Sequence, residues 1–555
     1  MRRSLLALAS GMLVLALAGC IGIPTSGGVN DGPVIDDQAS PEFIPLPSDP
    51  VPGSSQDQIL ADFMLAVGGP QSGYAVAKKY LTSSLATTWN PDASAIIRTG
   101  NQTVQSIDDL TKSYSFVSRA NVNELGQYTE ERDASPQTLT FQFAQEDGEW
   151  RISQAADGIV LSQSAFTTAF RAQALYFFDP SYSYLVPDVR WFPARQSSSV
   201  RIVQALLAGP PSWLQQAVIT AFPDATTLGV GGITPESGGV VVDLSTEALT
   251  SNEQGRDRMR QQLVATLDTP NVSLTVRGLE LATPNASGNR AEVNPRVEPS
   301  VLVGADGDFG FDGGSGIVPL PGITDQVVAS GATGASLSSD KQAAALRGPD
   351  GSVSVALSGG SAPVVLDPAP GHATPSIDPF RYVWAASAST ASTLTTYDLN
   401  GVEHGIQSGL AADSGILSLD VSRDGTRLLV LLTTPVGPRL VLAGIIRQDN
   451  VPIGLGELID LPIGTERQLD AAWVDDRTVA TVSTDGEASA IITAYEIGGP
   501  SSALGRVQGG VALEGGNGGT DGLRVLTTEG EVWRPRGSEG WVVTGVTATF
   551  LGAKQ

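Results

Sequence analysis

Cysteine and histidine are nearly absent from this chain of 555 residues, which contains one Cys and two His. A single cysteine cannot form an internal disulfide, so stability must come from buried cores. His372 and His404 lie in no HxH or HExxH pattern, and no Cys-rich spacing of metal ligands accompanies them. The sequence therefore predicts no metal centre.

Sequence signals of catalysis and of nucleotide binding are also missing. No Gly-Lys-Ser/Thr phosphate loop occurs, and the glycines of residues 515–519 lack the strand-to-helix setting of a dinucleotide site. Residues 313–316 place a serine among glycines without the Gly-x-Ser-x-Gly spacing of a serine hydrolase. We therefore expect a protein that is not an enzyme, with no catalytic residues and no cofactor apart from a covalent lipid.

Two sets of side chains could serve a binding site but also have structural explanations. Asp306, Asp308 and Asp312 could ligate calcium, yet their spacing departs from the EF-hand order and the final Glu is missing. Solvated loop carboxylates are the alternative. Four tryptophans could form a sugar-binding platform or pack in cores: Trp213, Trp473, Trp533 and Trp541.

Positive charge is scarce, because 33 Lys and Arg stand against 58 Asp and Glu, for a formal net charge of −25. Such a surface repels nucleic-acid phosphates and anionic lipid headgroups. We expect no nucleic-acid partner. Attachment to a membrane must come from lipid rather than from charge.

The N-terminus has the pattern of a lipoprotein signal. Two arginines precede an apolar run that is too short to span a bilayer as a permanent helix. The run ends in Leu17-Ala18-Gly19-Cys20, a bacterial lipobox whose first three residues suit recognition by a signal peptidase. Residues 1–19 are thus predicted to be a signal peptide, and Cys20 to carry lipid that anchors the protein to the extracytoplasmic face of the cell membrane. An ordinary cleaved signal and an uncleaved anchor are the alternatives.

A tether and a first folded module follow the signal. Residues 20–53 are rich in proline and glycine and show no regular period, which predicts an extended tether. Residues 54–180 open with an apolar helical face capped by Ser54 or Ser55 and continue as strands, with a hairpin turn at Asp147-Gly148. This α+β order resembles the cystatin or nuclear-transport-factor type of fold, which often has a cavity for a ligand.

Residues 185–282 mix short helices and strands in an α/β order. They resemble the GerMN domain of bacterial sporulation and envelope proteins. The resemblance rests on Ala-Leu-Leu-Ala-Gly-Pro at residues 205–210, on Phe222-Pro223, and on Val-Val-Asp-Leu-Ser at residues 241–245.

Residues 295–555 contain short strands that repeat about every 40 to 50 residues, a period typical of propeller blades. The repeat units begin near Ser336, Ser376, Ser418 and Ala471. This length predicts a C-terminal all-β propeller of about five to seven blades, and a β-sandwich with irregular hairpins is the alternative. Residues 422–427 also resemble the TolB and WD-type blade signature, in which Asp-Gly turns the chain.

The whole order resembles the LpqB family of actinobacterial lipoproteins. The residues that carry this resemblance are Cys20, residues 24–28, Tyr80-Leu81, Trp89, residues 149–152, 157–159 and 185–187, and the GerMN stretch. The resemblance implies an accessory lipoprotein that contacts the ectodomain of the sensor histidine kinase MtrB. It would modulate the MtrA–MtrB two-component system, with consequences for the cell envelope and division.

Two other functions stay open at this point. One is a lipoprotein that binds or processes cell-wall glycan. The other is a solute-binding lipoprotein that uses a cavity in the first module.

Overall fold

The computed structural model describes residues 47–283, 290–295, 300–314, 316–537 and 540–555. The predicted signal peptide and the lipobox residues Leu17, Ala18, Gly19 and Cys20 lie outside the described residues, as does the tether before residue 47. None of the helices within the described ranges is long and apolar enough to cross a membrane.

The first module is a five-stranded sheet covered by helices. Its elements are α1 (Gln56–Ala66), α2 (Ala75–Lys78), α3 (Ser83–Thr88), β1 (Ser94–Ser106), β2 (Thr111–Asn123), β3 (Tyr128–Glu146), β4 (Glu149–Gln154), β5 (Ile159–Ser162) and α4 (Gln163–Ala169). The strand order is β4-β3-β2-β1-β5, and β5 runs parallel to β1. The α1 helix buries Ile59, Leu60 and Phe63 in the module's core.

Two local predictions for this module are confirmed. The Ser55 hydroxyl accepts a hydrogen bond from the Gln58 amide at 3.3 Å and so caps α1. Asp147 and Gly148 have φ angles of 52° and 82° and join β3 to β4 in a hairpin. Both central residues of such a turn need positive φ, which explains why the sequence places Asp-Gly there.

The second domain follows directly. Its elements are β6 (Phe170–Phe178), β7 (Tyr184–Pro193), α5 (Ser198–Leu207), β8 (Leu228–Glu236), β9 (Gly239–Leu244), α6 (Glu253–Leu267), β10 (Val272–Val276), β11 (Leu279–Glu280) and β12 (Glu292–Val293). They form two sheets, of order β12-β7-β6 and β11-β10-β9-β8. Because β6 pairs with β7 along its whole length, β6 lies in the second domain's sheet, although the sequence division at residue 180 placed it in the first module.

The remaining described residues form a β-propeller of six sheets. Its elements begin with β13 (Val301–Ala305), β14 (Asp308–Asp312), β15 (Ile317–Pro319), α7 (Thr324–Ser330), β16 (Gly334–Leu337), β17 (Ala343–Arg347), β18 (Val353–Leu357) and β19 (Val364–Asp367). They continue with β20 (Ser376–Ile377), β21 (Val383–Ser387), β22 (Thr390–Tyr397), β23 (Glu403–Gly405), β24 (Gly415–Val421), β25 (Arg427–Thr434), β26 (Gly437–Gln448), β27 (Val451–Leu455) and β28 (Ile459–Leu461). The last are β29 (Arg467–Trp473), β30 (Thr478–Thr484), β31 (Ser489–Glu496), β32 (Ser501–Gln508), β33 (Gly510–Glu514), β34 (Arg524–Thr527), β35 (Glu531–Pro535), β36 (Trp541–Thr547) and β37 (Phe550–Ala553).

The blades follow one another along the chain. Blade 1 is β15-β14-β13-β37, so the final strand pairs with β13 and closes the ring. Blades 2 to 6 are β16–β19, β20–β23, β24–β27, β29–β32 and β33–β36. The short strand β28 pairs with β26 of blade 4. Six blades lie within the predicted range of five to seven. The predicted repeat starts fall on β16, β20, β24 and β29, the first strands of their blades.

The second domain and the propeller share one hydrophobic core. Trp213 of the second domain and Trp473 of blade 5 belong to the same cluster of buried side chains. Gly444 of blade 4 permits this approach, because a Cβ atom there would lie 2.6 Å from the Trp213 carbonyl oxygen.

All three domains meet near Trp191 of β7. The Trp191 ring packs in the core of the first module. Its Nε1 donates to the Gly498 carbonyl of blade 5 at 2.9 Å, and its backbone N donates to the Gly126 carbonyl of the first module at 2.7 Å. Trp191 is therefore one buried side chain at which all three domains meet.

Candidate functional site

The three candidate calcium ligands are not brought together as a site. Asp312 is buried and forms an ion pair with Arg524, with Oδ2 to Nε at 2.7 Å. The Asp308 carboxylate accepts from the Phe309 amide at 2.8 Å. No group of three acidic, histidine or cysteine side chains within the described ranges is arranged to hold a metal ion.

The tryptophans proposed as a sugar platform are mostly core residues. Trp213 and Trp473 lie in the core shared by the second domain and the propeller, and Trp541 is buried in the core of blades 5 and 6. Trp533 is half-buried, and its Nε1 donates to Glu531 at 3.1 Å. The core-packing alternative therefore describes these side chains.

The two histidines have separate surroundings. His372 is buried, with Nε2 at 3.1 Å from an Asp367 carboxylate oxygen. His404 lies on β23, where its ring meets the Tyr382 ring edge-on at 5.6 Å. Residues 515–519 form a loop beside blade 5, where a Cβ on Gly515 would lie 1.8 Å from the Trp473 carbonyl oxygen.

One chemically distinctive space is the propeller channel, with a volume of about 340 Å³. The first strands of blades 2 to 6, together with β37 of blade 1, line it. On blades 2 to 4, side chains of these strands accept hydrogen bonds from the backbone of the next blade. Three serines do this at 3.2 Å each: Ser336 for Ile377, Ser376 for Val421, and Ser418 for Ala471.

Three carboxylates face this channel, which we call the channel acids: Asp420, Asp470 and Glu514. They lie on β24, β29 and β33, the first strands of three successive blades. Burial raises the pKa of Asp470 to about 6, although backbone amides of Leu513 and Ala471 donate to its carboxylate at 3.1 and 2.9 Å.

The other two channel acids also have raised pKa values. Burial raises the pKa of Asp420, even though Ser376 Oγ and Gln555 Nε2 donate to its Oδ1 at 3.0 and 2.7 Å. Burial first, and then the neighbouring Asp420 and Asp470, raise the pKa of Glu514 well above its usual range. The surroundings of all three acids in this channel thus disfavour their charged forms.

One cation lies close to two of the channel acids. Arg423 lies beside Asp420 and Glu514, but its Nη2 donates to the Gly515 carbonyl at 3.2 Å. The sequence pattern alone did not predict any of the channel acids as site residues. One signal could have found them. An acidic residue occurs on the first strand of each of three successive blades, whereas other first strands have serine at the corresponding position. Blade 3, for example, has Ser376 where blade 4 has Asp420.

A second candidate site is an apolar groove of about 270 Å³ on the first module. Leu60, Met64 and Leu65 of α1 form one wall, and Val104 of β1 lies on another. Leu65 and Val104 remain 48% and 43% exposed. The resemblance of this module to cystatin-type folds predicted a cavity but not its residues.

Comparison with known proteins covers all three domains. Residues 49–167 match a family model described as the N-terminal domain of lipoprotein LpqB, and residues 307–549 match the β-propeller domain of lipoprotein LpqB. Residues 174–282 match a model described as sporulation and spore germination.

Individual relatives carry the same description. The chain is 31% identical to lipoprotein LpqB of Cutibacterium acnes over 52% of this chain and 49% of the relative. It is 26% identical to lipoprotein LpqB of Mycolicibacterium smegmatis over 80% of each. In the first three such matches the chain spans about half the length of the curated relatives.

One solved structure similar to the second domain is the first GerMN domain of the sporulation protein GerM from Bacillus subtilis. The match has 23% identity and a TM-score of 0.17, and it covers 22% of this chain and 93% of that domain.

Proposed function

The chain belongs to the LpqB family of actinobacterial lipoproteins, and from this we propose that it is an accessory lipoprotein that modulates a two-component sensor kinase. Its partner is the ectodomain of the histidine kinase MtrB of the MtrA–MtrB system, and its effects reach the cell envelope and division. It acts by protein contact rather than by turnover. Lipid on Cys20 holds it on the extracytoplasmic face of the cell membrane.

The observation that carries this proposal is an exposed strand edge on the first module. Among the described strands, β5 pairs with β1 only as far as Arg98, so the rest of β1 pairs on the β2 side alone. Residues 99–106 are all exposed and contain no charged side chain and no proline. Such an edge presents backbone donors and acceptors to an extended segment of another protein.

The apolar groove adjoins this edge and supports the same interpretation. Val104 lies on the exposed part of β1 and also lines the groove. In an added strand, alternate side chains point to one face, so every second residue of the partner would lie over Leu65 and Val104. Covering these side chains removes apolar surface from water, which stabilises the complex by about 25 cal/mol for each Å² buried.

Contact at the first module can reach the rest of the protein because the domains are packed together. Glu130 of β3 accepts from the Ser501 amide of blade 5 at 3.3 Å, and Trp191 joins the first module to the same blade. A partner bound at β1 therefore holds the propeller in one orientation relative to the kinase.

Site-specific photo-crosslinking in membranes tests the proposal. The full lipidated chain would carry a photo-reactive residue at Val104, and the kinase ectodomain is the expected product. A matched control places the same residue at Val436, which is 91% exposed on blade 4 and equally apolar. Capture of MtrB at neither position, or equally at both, would contradict the proposed contact.

Anchoring is tested with a Cys20→Ala variant. We expect it to lose lipid labelling and to give lost or reduced capture from position 104, because the protein is no longer concentrated at the membrane. Full lipid labelling of this variant would place the lipid elsewhere.

The groove also favours a second function, that of a solute-binding lipoprotein. Its volume of about 270 Å³ approaches the lower end of small-molecule sites. A thermal-shift screen of the full chain against apolar metabolites tests this function. A ligand that raises the unfolding temperature, with the increase lost in Leu65→Asp, would favour it over kinase contact, and an unchanged temperature would exclude it.

A further inference from the structure

The propeller channel combines three carboxylates with nearby buried polar atoms that have no hydrogen-bond partner in the part of the chain that the structure describes. We propose that the channel binds an alkylammonium group, with Glu514 as the carboxylate that contacts the ammonium and with Asp420 and Asp470 beside it. This ligand site is independent of the contact proposed for the first module.

Glu514 is the channel acid whose geometry leaves most capacity for a ligand. It ends β33 and lines the channel. Its Oε2 atom is buried, and no donor among the described residues lies within hydrogen-bonding distance. A buried carboxylate oxygen normally accepts at least one hydrogen bond, because leaving it unmade costs free energy. A donor brought by a ligand would meet this requirement.

Gln555 supplies a second and separate indication. Its side chain is 2% exposed, and its Nε2 donates to Asp420 Oδ1 at 2.7 Å, which places the amide at the channel acids. Its Oε1 is buried and has no donor among the described residues. An uncharged acceptor and a carboxylate are therefore both unpartnered in the same region, as a group with several N–H donors requires.

The charges around the channel do not balance. The ionisable side chains that line it are the three channel acids, while Arg423 lies beside Asp420 and Glu514, and Lys554 lies near Arg423 and Lys341. Within the described ranges, Arg423 is the cation that acts on both Asp420 and Glu514. Burial raises the pKa of all three acids, and repulsion from neighbouring acids adds to this for Asp470 and Glu514. A bound cation would favour their charged forms.

The shape of the site favours an alkylammonium over a metal ion. Within the described ranges no three carboxylates converge closely enough for a metal, whereas an ammonium donates three hydrogen bonds over longer distances. Apolar side chains of Leu417, Leu469 and Phe550 also line the channel and suit an aliphatic stem. The volume of about 340 Å³ accommodates both parts of such a group.

Calorimetric titration of the detergent-solubilised full chain tests the proposal. Two probes separate the possible sources of the group: 1,5-diaminopentane stands for a free amine, and an Nα-acetyl-lysine amide stands for the side chain of a peptide. We expect at least one to bind with a dissociation constant below about 1 mM, and 1-pentanol, which lacks the charge, not to bind. Binding should also release protons, seen as a dependence of the heat on the ionisation enthalpy of the buffer.

The variant Glu514→Gln should weaken amine binding by about tenfold or more, because it removes the charge that strengthens the hydrogen bond. Glu487→Gln is the matched control, since its carboxylate lies exposed on blade 5. Unfolding temperatures of both variants verify that the propeller remains folded. Absence of amine binding to the unmodified chain, or binding unchanged in Glu514→Gln, overturns the proposal. Calcium binding that depends on Glu514 without amine binding overturns it as well.

Kinase capture at Val104 does not depend on this result. Failure of the amine to bind would leave that contact standing, and failure of the contact would leave the channel site standing.

Discussion

Asp420 and Asp424 lie four residues apart in blade 4, yet the protein surrounds these two carboxylates, the first half-buried and the second buried, in opposite ways. Asp424 forms an ion pair with the buried Arg427 and accepts from Ser422 Oγ at 2.8 Å and from the Thr426 amide at 2.9 Å. Although burial alone would raise its pKa, these partners lower it. Asp420 accepts from neutral donors, and although Arg423 lies beside it, Asp420 forms no ion pair among the described residues and its pKa is raised.

The same contrast extends around the ring. Turn aspartates after the first strands of blades 2, 3 and 4 each pair with an arginine: Asp340 with Arg381, Asp378 with Arg447, and Asp424 with Arg427. The channel acids form no such pair among the described residues. These three turn aspartates thus each have a cation from the same chain, which separates them from the channel acids.

The largest expected effect comes from breaking one of the buried pairs of a turn aspartate with an arginine. Arg427→Met should lower the free energy of unfolding by about 3–5 kcal/mol, because it leaves the buried Asp424 uncompensated. It also removes the bond from Arg427 Nη1 to the Asp476 carbonyl at 2.7 Å. Chemical denaturation of the two proteins at neutral pH measures the difference.

Arg439→Met is the control for that measurement. Arg439 also pairs with an aspartate, Asp460, at 2.7 Å, but the two side chains are 32% and 52% exposed. An exposed pair contributes less than about 1 kcal/mol. Equal losses in the two variants would show that burial does not separate these pairs.

Asp243 of β9 tests whether hydrogen bonds can replace the cation. Its buried carboxylate accepts from Thr275 Oγ1 at 2.7 Å, from the Gly278 amide at 2.9 Å and from the Gly231 amide at 3.0 Å. Burial opposes these donors, but together they lower its pKa. Asp243→Asn should cost about 1–3 kcal/mol of unfolding free energy, because its NH₂ group would face donors.

The pH dependence gives this prediction a second readout. A lowered pKa stabilises the folded state above the unfolded value, and this stability is lost as pH falls through the folded pKa. The unmodified protein should therefore lose more unfolding free energy than Asp243→Asn when pH falls below about 4. The exposed Asp224→Asn variant is the control in the same domain. Parallel curves for the unmodified chain and Asp243→Asn would contradict the assigned role.

The sequence predicted the local features of this fold better than its long-range pairings. The Ser55 cap, the Asp147-Gly148 hairpin and the blade period are each encoded within a few residues or as a repeat, so pattern alone reveals them. The pairing of β6 with β7 was missed, because nothing in residues 170–178 states which sheet receives them.

The candidate site was missed for a related reason. Asp420, Asp470 and Glu514 belong to three blades, and each looks like an ordinary strand or turn residue in its own segment. Only the closed ring brings them to one channel. The role of Gln555 depends in addition on β37 pairing with β13, which joins two distant parts of the sequence.

The smallest expected effect concerns Asp470, a channel acid. Its effect on the pH dependence of stability is opposite in sign to that of Asp243. Because burial raises the pKa of Asp470 to about 6, the folded state binds a proton that the unfolded state releases, so stability should increase as pH falls from 7.5 to 5.5. The expected share of Asp470 is about 1 kcal/mol of unfolding free energy over this interval. Asp470→Asn should remove that share, measured by denaturation at both pH values. Asp485→Asn is the control, because Arg506 lowers the pKa of this exposed carboxylate and keeps it ionised throughout the interval. If Asp470→Asn keeps the full pH dependence, Asp470 does not supply it. The distinction between turn aspartates that pair with an arginine and channel acids that do not would then fail at this position.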